Sequence, residues 1–234
     1  MKVIVIQGLK SGVGVSFVAA NVAYRLSMTN VRVLVVNARS SHYPLESYFN
    51  LPSDLTDGWM SSSEVSLLDS RYRYNDLLDI LPSGLEGSEN DGQRRVRTLI
   101  AQARREYDFC VVDAGVIDSD WAKAYADSAD LTIDVMEPEA GCLMRLVHRN
   151  RFSDNEYLMF NKVWPMSRTH SDVSTLIRRH QAFADRLITH SVPYDEYALQ
   201  SSLYKQPITQ TMLFTQSAEQ LNHLTTWIKL QLLT

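Results

Sequence analysis

One stretch constrains this chain more than any other: Gln7-Gly8-Leu9-Lys10-Ser11-Gly12-Val13-Gly14-Val15-Ser16-Phe17. It follows the apolar run Val3-Ile4-Val5-Ile6, which reads as a buried parallel strand. It precedes Val18–Leu26, which reads as a helix with an Ala/Val/Leu face. Strand, glycine loop and helix in that order have the geometry of a phosphate site. Glycines let the backbone approach an anion, and the free N–H groups at the helix start point at it. A tight structural turn with no ligand is the alternative, and the loop alone does not separate the two.

The usual phosphate loop reads G-x-x-x-x-G-K-S/T, and Gly8 to Gly14 is one residue too long for it. The spacing fits K-G-G-x-G-K-S/T better, the deviant loop that the ParA- and MinD-like ATPases use. Against that pattern Lys10 stands at the first lysine, Ser11 replaces a glycine, and Gly12 and Gly14 match. Ser16 matches the hydroxyl that binds Mg²⁺, and Val15 stands where the second lysine belongs. Valine supplies no charge to steady the β- and γ-phosphates. A nucleotide here would depend on N–H groups, Mg²⁺ and Lys10. A dehydrogenase loop fits less well. No lysine in the chain has a tyrosine four residues before it, Phe17 fills the third glycine position of G-x-G-x-x-G, and Asn37 stands where an acid is expected.

Val31–Val36 reads as the second strand and ends in Asn37-Ala38-Arg39. In the ParA/MinD group that strand end carries an aspartate that orients the attacking water. Asn37 keeps the shape but cannot act as a carboxylate base, and Arg39 replaces a further acid that supports Mg²⁺. Asn37 as a plain turn residue is the other reading. The run Tyr107-Asp108-Phe109-Cys110-Val111-Val112-Asp113 places an acid at a strand tip. That is the Walker B arrangement, with Asp113 expected to hold Mg²⁺ together with Ser16. Glu156–Asn161 reads as a strand ending where the resemblance places an adenine contact. Val192-Pro193-Tyr194-Asp195 resembles the proline loop that packs on the base.

The rest of the chain is expected to be one α/β unit over residues 1–234. A formal charge of −4 argues against general nucleic-acid binding. Cys110 and Cys142, without C-x-x-C spacing, suggest a reducing cytoplasm and no zinc. No signal peptide is expected, and no apolar run approaches the ~20 residues that span a bilayer. Residues 40–75 read as a loop with short helices at Pro44–Phe49 and Ser62–Asp69. Tyr43, Tyr48, Phe49, Trp59 and Met60 in that stretch are expected to seal a core edge. Leu77–Leu81 and Leu131–Met136 read as strands, and Arg186–His190 as the last short one. Asp120–Ser128, Val96–Arg105, Gly141–Arg149 and Ser217–Leu233 read as helices, and Glu86–Gln93 as an exposed polar segment. The arginines at 94, 95, 97, 104 and 105, and the patch Arg145, His148, Arg149 and Arg151, are expected to be solvated faces. The closing helix carries one lysine, Lys229, too little charge for an anionic membrane surface.

The alternation of strands and helices predicts a three-layer α/β sandwich, a twisted, mainly parallel sheet with helices on both faces. Over its full length the chain resembles the MinD/ParA superfamily of P-loop ATPases. More narrowly it looks like the BcsQ (YhjQ) family of bacterial cellulose-secretion operons. Gln7–Gly14, Val33–Val36, Gly58-Trp59, Leu77–Gly84, Cys142-x-x-Arg145-Leu146 and Lys205-Gln206-Pro207-Ile208 carry that likeness. The resemblance implies an ATP-bound homodimer, with Mg²⁺, at the cytosolic face of the inner membrane. It also implies work alongside the small protein BcsR and with BcsE, and association with the membrane through partners. It places Lys10 across the dimer on the other protomer's phosphates. Lys10 and Asn37 are the catalytic candidates, and hydrolysis is expected to be slow or absent. Lys10, Ser11, Gly12, Val13, Gly14, Val15, Ser16, Phe17, Asn161, Pro193 and Tyr194 are the nucleotide-binding candidates. An actively cycling ATPase and a nucleotide-free scaffold are the competing readings.

Overall fold

The structure is a computed structural model and describes residues 1–39, 45–52, 55–63, 67–84, 92–149 and 152–233. The apolar runs of the sequence form a seven-stranded sheet. Its strands are β1 (Lys2–Gly8), β2 (Val33–Asn37), β3 (Tyr72–Asn75), β4 (Leu78–Leu81), β5 (Phe109–Val116), β6 (Leu131–Met136) and β7 (Glu156–Phe160). They lie in the order β3-β4-β2-β5-β1-β6-β7. Every pair is parallel except the edge pair β3 and β4. The central strands are largely apolar because helices cover both faces; the polar side chains within them, Gln7, Asp113, Thr132 and Asp134, are themselves buried.

Two cores flank the sheet. One packs helix α1 (Val15–Ser27) and the closing helix α9 (Gln216–Leu233) on one face, with Val18, Val22, Leu221, Leu224 and Ile228 buried against Ile4, Ile6 and Val35. The other packs α2 (Gly92–Ala103) and α3 (Asp120–Ala126) on the opposite face, with Val96, Leu99, Ile100 and Tyr125 against Val3, Val5, Leu34 and Val36. Alternating residues of β1 point to opposite cores, as the two-residue period of a strand requires. Trp59 is fully buried in the second core, and its indole N–H donates to the Asn37 carbonyl at 2.8 Å. Trp59, Met60 and Phe49 seal the core as expected.

Several segments differ from the sequence reading. Tyr72–Asn75 is a strand within a stretch expected to be loop; its half-exposed, mixed residues carry no apolar run because it is an edge strand. Arg186–His190 is not a strand: only Leu187 bridges, to Leu158, and Arg186 turns its guanidinium to the Glu156 carbonyl at 3.1 Å. Arg95 is not part of a solvated face; its guanidinium donates to the Ser62 carbonyl at 2.7 Å and to the Trp59 carbonyl. Arg149 is not solvated either, since its guanidinium pairs with the buried Asp134 and Glu156. The expected helix at Pro44–Phe49 is a 3₁₀ turn at Glu46–Phe49, and Pro44 and Tyr43 lie outside the described residues. So do residues 64–66 of the expected Ser62–Asp69 helix, residues 86–91 of the expected polar segment, and Arg151. Gly92 and Gln93 open α2. Four further helices precede α9: α5 (Arg168–Arg179), α6 (Gln181–Ala184), α7 (Glu196–Leu203) and α8 (Ile208–Thr211). A helix over Ala140–Val147, α4, follows β6. No helix among the described residues is long and apolar enough to cross a membrane.

Candidate functional site

The strands β1, β2, β5, β6 and β7 run parallel, so their carboxyl ends open on one edge, where α/β sheets take ligands. The loop between β1 and α1 lies there. Gly12 and Gly14 adopt φ of +84° and +93°, a left-handed backbone that glycine enters without strain. Gly14 has a second reason: a Cβ on it would fall 2.3 Å from Asn161 Nδ2. That amide donates to the Val13 carbonyl at 2.7 Å and ties the loop to the end of β7. Lys162 donates to the Gly12 carbonyl and completes the clamp.

A cavity of about 370 Å³ opens over the loop. Lys10, Ser11, Gly12, Gly14, Val15, Ser16 and Phe17 line its floor. Asn161, Pro193 and Tyr194 line it from the β7 side, together with Val192, Asp195 and Leu199. The sequence-derived set thus largely converges on one cavity. Three members stand apart. Val13 is fully buried and contributes its carbonyl to the Asn161 clamp. Asp113 is fully buried behind Ser16, whose hydroxyl donates to its carboxylate. Asn37 does not line the cavity: its amide donates to both Glu46 carboxylate oxygens, at 2.8 and 2.9 Å, and its carbonyl oxygen accepts from the Arg39 N–H at 3.0 Å. Asn37 therefore ties the end of β2 to Glu46 and to the Arg39 backbone.

Register explains why Ser16 and Asp113 meet. Asp113 sits opposite Ile6 of β1 on one side and Asn37 of β2 on the other, at the tips of three adjacent strands. Burial pushes the Asp113 carboxyl up from its ordinary range. The Ser16 hydroxyl, the Arg39 charge and the Gly115 N–H oppose that shift. Two oxygens suited to Mg²⁺ stand together here, so the donor chemistry fits the ion. A cation of the protein competes for the same spot: Arg39 Nη1 lies 3.3 Å from Ser16 Oγ.

Sequence reasoning missed three groups at this site. In the sequence Arg39 reads only as a lost acid. Lys162 faces the cavity from a left-handed backbone at φ +54°, which nothing in the sequence announces. Glu137 and Glu139, just past β6, pair with the two lysines: Lys10 with Glu139 at 2.8 Å and Lys162 with Glu137 at 2.9 Å. The Lys10 ammonium is held above its ordinary pKa chiefly by the hydrogen bond to Glu139. Tyr48 closes the wall beside Phe17, edge to face at 6.1 Å between ring centres.

Sheet order, helix layers and the loop at the carboxyl edge define the protein's class: a MinD/ParA-like fold of the P-loop ATPase type. The ParA family ATPase from Chlorobium tepidum TLS superimposes with a TM-score of 0.76 at 23% identity, over 96% of this chain and 97% of that one. The septum site-determining protein MinD from Pyrococcus horikoshii OT3, solved with Mg-ADP, gives 0.74 at 17% identity, over 97% and 95%. Within that class the family is specific. The model of the cellulose biosynthesis protein BcsQ family matches residues 1–229, and the chain belongs to that family. The Escherichia coli (strain K12) cellulose biosynthesis protein BcsQ is 26% identical over 97% of this chain and 94% of its own length.

Proposed function

We propose that this chain, acting as one nucleotide-binding domain over residues 1–234, binds ATP in the loop cavity and dimerises in response. In this reading it supports assembly or regulation of the cellulose synthase secretion machinery. The observation that carries the reading is the clamped glycine loop, whose helix-start N–H groups face a cavity that also receives cationic side chains. The N–H groups of Gly12 and of Gly14 to Phe17 take the phosphates. Asn161, Pro193 and Tyr194 flank the base.

Lys10 has two states in this account. Alone, it rests on Glu139. A pair with both side chains about a third exposed holds by only ~0–1 kcal/mol. It is therefore free to swing to the phosphates of a second protomer, which makes the dimer dependent on nucleotide. Ser16 and Asp113 are the groups that would hold Mg²⁺, which would neutralise phosphate charge when bound. Turnover is slow or absent, because Asn37 is an amide committed to Glu46 and Val15 brings no charge. The expected partners are a second copy of the chain and cellulose-secretion proteins such as BcsR and BcsE, with association at the inner membrane through them.

Light scattering with and without ATP tests the reading. The wild type should double its molar mass with ATP, and Lys10→Ala should stay a monomer. A Lys10→Ala protein that dimerises with ATP as well as the wild type does would refute the role given to Lys10.

A further inference from the structure

We infer that Arg39 is the cation that replaces the missing loop lysine, and that it makes nucleotide binding largely independent of Mg²⁺. The inference rests on the nucleotide-binding reading above and concerns how that site neutralises phosphate.

The three cavity cations differ in what already holds them. Lys10 and Lys162 are each paired with a carboxylate, Glu139 and Glu137. Arg39 differs. Among the described residues its guanidinium makes no ion pair; its polar contact is the Ser16 hydroxyl at 3.3 Å. Among the described residues it is a cavity cation with most of its donors uncommitted. A guanidinium carries five N–H donors in a planar fork suited to phosphate oxygens.

Its position is built into the fold. Gly115 is left-handed at φ +69°, and a Cβ there would fall 3.0 Å from Arg39 Cγ and 3.3 Å from Cδ and Nε. A side chain there would crowd the arginine stem, which lies across the end of β5 toward the loop. The backbone N–H of Arg39 is itself anchored, donating to Asn37 Oδ1 at 3.0 Å. Asn37 is anchored in turn on Glu46. Asn37 and Gly115 thus act together to hold one arginine over the loop.

The charge falls where it is needed. Val15 leaves the helix start without its lysine, and the next residue, Ser16, is the one Arg39 touches. The same guanidinium stabilises the Asp113 carboxylate behind that hydroxyl. A positive charge held in this place supplies part of the neutralisation that a divalent ion gives beside a phosphate chain. Arginine binds phosphate through charge-assisted, bidentate hydrogen bonds, so the nucleotide polyphosphate is the ligand it fits.

The test is binding of ATP, followed by calorimetry in excess Mg²⁺ and again in EDTA. The wild type should bind in both, with dissociation constants within about 3-fold of each other. Arg39→Ala should lose about 10-fold or more in EDTA, the scale of a hydrogen bond to a charged group, and recover part of that loss with Mg²⁺. Arg39→Lys should fall between the two. Wild-type binding seen only with Mg²⁺ overturns the inference and leaves the nucleotide reading standing, and that comparison needs no variant to fold. Arg39→Ala binding as tightly as wild type in EDTA also overturns it. No binding in either condition overturns both.

Discussion

Among the described residues Arg149 is the only cation of a buried charge cluster, and replacing it with methionine has a consequence that can be sized. The Arg149 side chain is 20% exposed, while its partners Asp134 and Glu156 are 0% and 5% exposed. Gln7 Nε2 donates to the other Asp134 oxygen at 2.7 Å, and the Ser153 N–H donates to Glu156 at 2.9 Å. The cluster spans β1, β6 and β7, the half of the sheet that positions Asn161. Removing one partner of a buried pair costs about 3–5 kcal/mol, because the partner charge is left unpaired. A chain of this size loses about 2–4 °C in Tm per kcal/mol, so Arg149→Met should melt about 6–20 °C lower. The deficit should depend on pH. Burial pushes the Asp134 carboxyl up from its ordinary value, and Arg149 opposes that. A carboxyl whose folded pKa is raised favours the fold in its protonated form. That contribution is complete below the ordinary carboxylate pKa and is lost as pH rises through the folded pKa. Removing Arg149 raises the folded pKa further, so the Tm deficit should be larger at pH 8 than at pH 5. Arg149→Met/Asp134→Asn should recover part of the loss, since asparagine still accepts from Gln7. Thermal melts by circular dichroism at the two pH values decide the matter. A deficit below about 2 °C, or one unchanged by pH, would refute the reasoning.

Three further outcomes are expected. Gly14→Ala puts a methyl 2.3 Å from Asn161 Nδ2 on a left-handed backbone; it should cost about 1–2 kcal/mol in backbone strain alone and lower ATP affinity, both read from melts and calorimetry. Trp59→Phe loses the hydrogen bond to the Asn37 carbonyl and should unfold about 1–3 kcal/mol more easily in urea, since a buried acceptor goes unpaired. Cys110 and Cys142 are fully buried, and burial pushes the Cys110 thiol up to about 12; Ellman's reagent at pH 8 should find both thiols only after denaturant is added.

The glycine loop was legible because all its meaning is local: an apolar run, glycines at fixed spacing and a helix pattern follow one another without interruption. Asp113 was legible for the same reason, as an acid ending an apolar strand. What stayed hidden depends on residues far apart in the chain. Arg149 reads as an exposed helix-end cation until β6 and β7 bring Asp134 and Glu156 to it. Arg95 looks like its solvated neighbours until the Trp59 and Ser62 carbonyls turn toward it. Asn37 was placed correctly at a strand tip, yet its side chain turns to Glu46, nine residues on. In the sequence Arg39 shows only the acid it lacks, because Gly115, whose Cα faces its stem, lies on another strand. Leu187 and Ile188 mimic a strand, but a single bridge ends the pairing at that edge.

The most direct test of the account is ATP titration into the wild-type protein by calorimetry, with molar mass followed by light scattering on the same samples. The account predicts saturable binding of one nucleotide per chain and a doubling of mass as the site fills. Absence of heat and of any mass change at millimolar ATP would contradict it, and would leave the clamped loop as a structural turn.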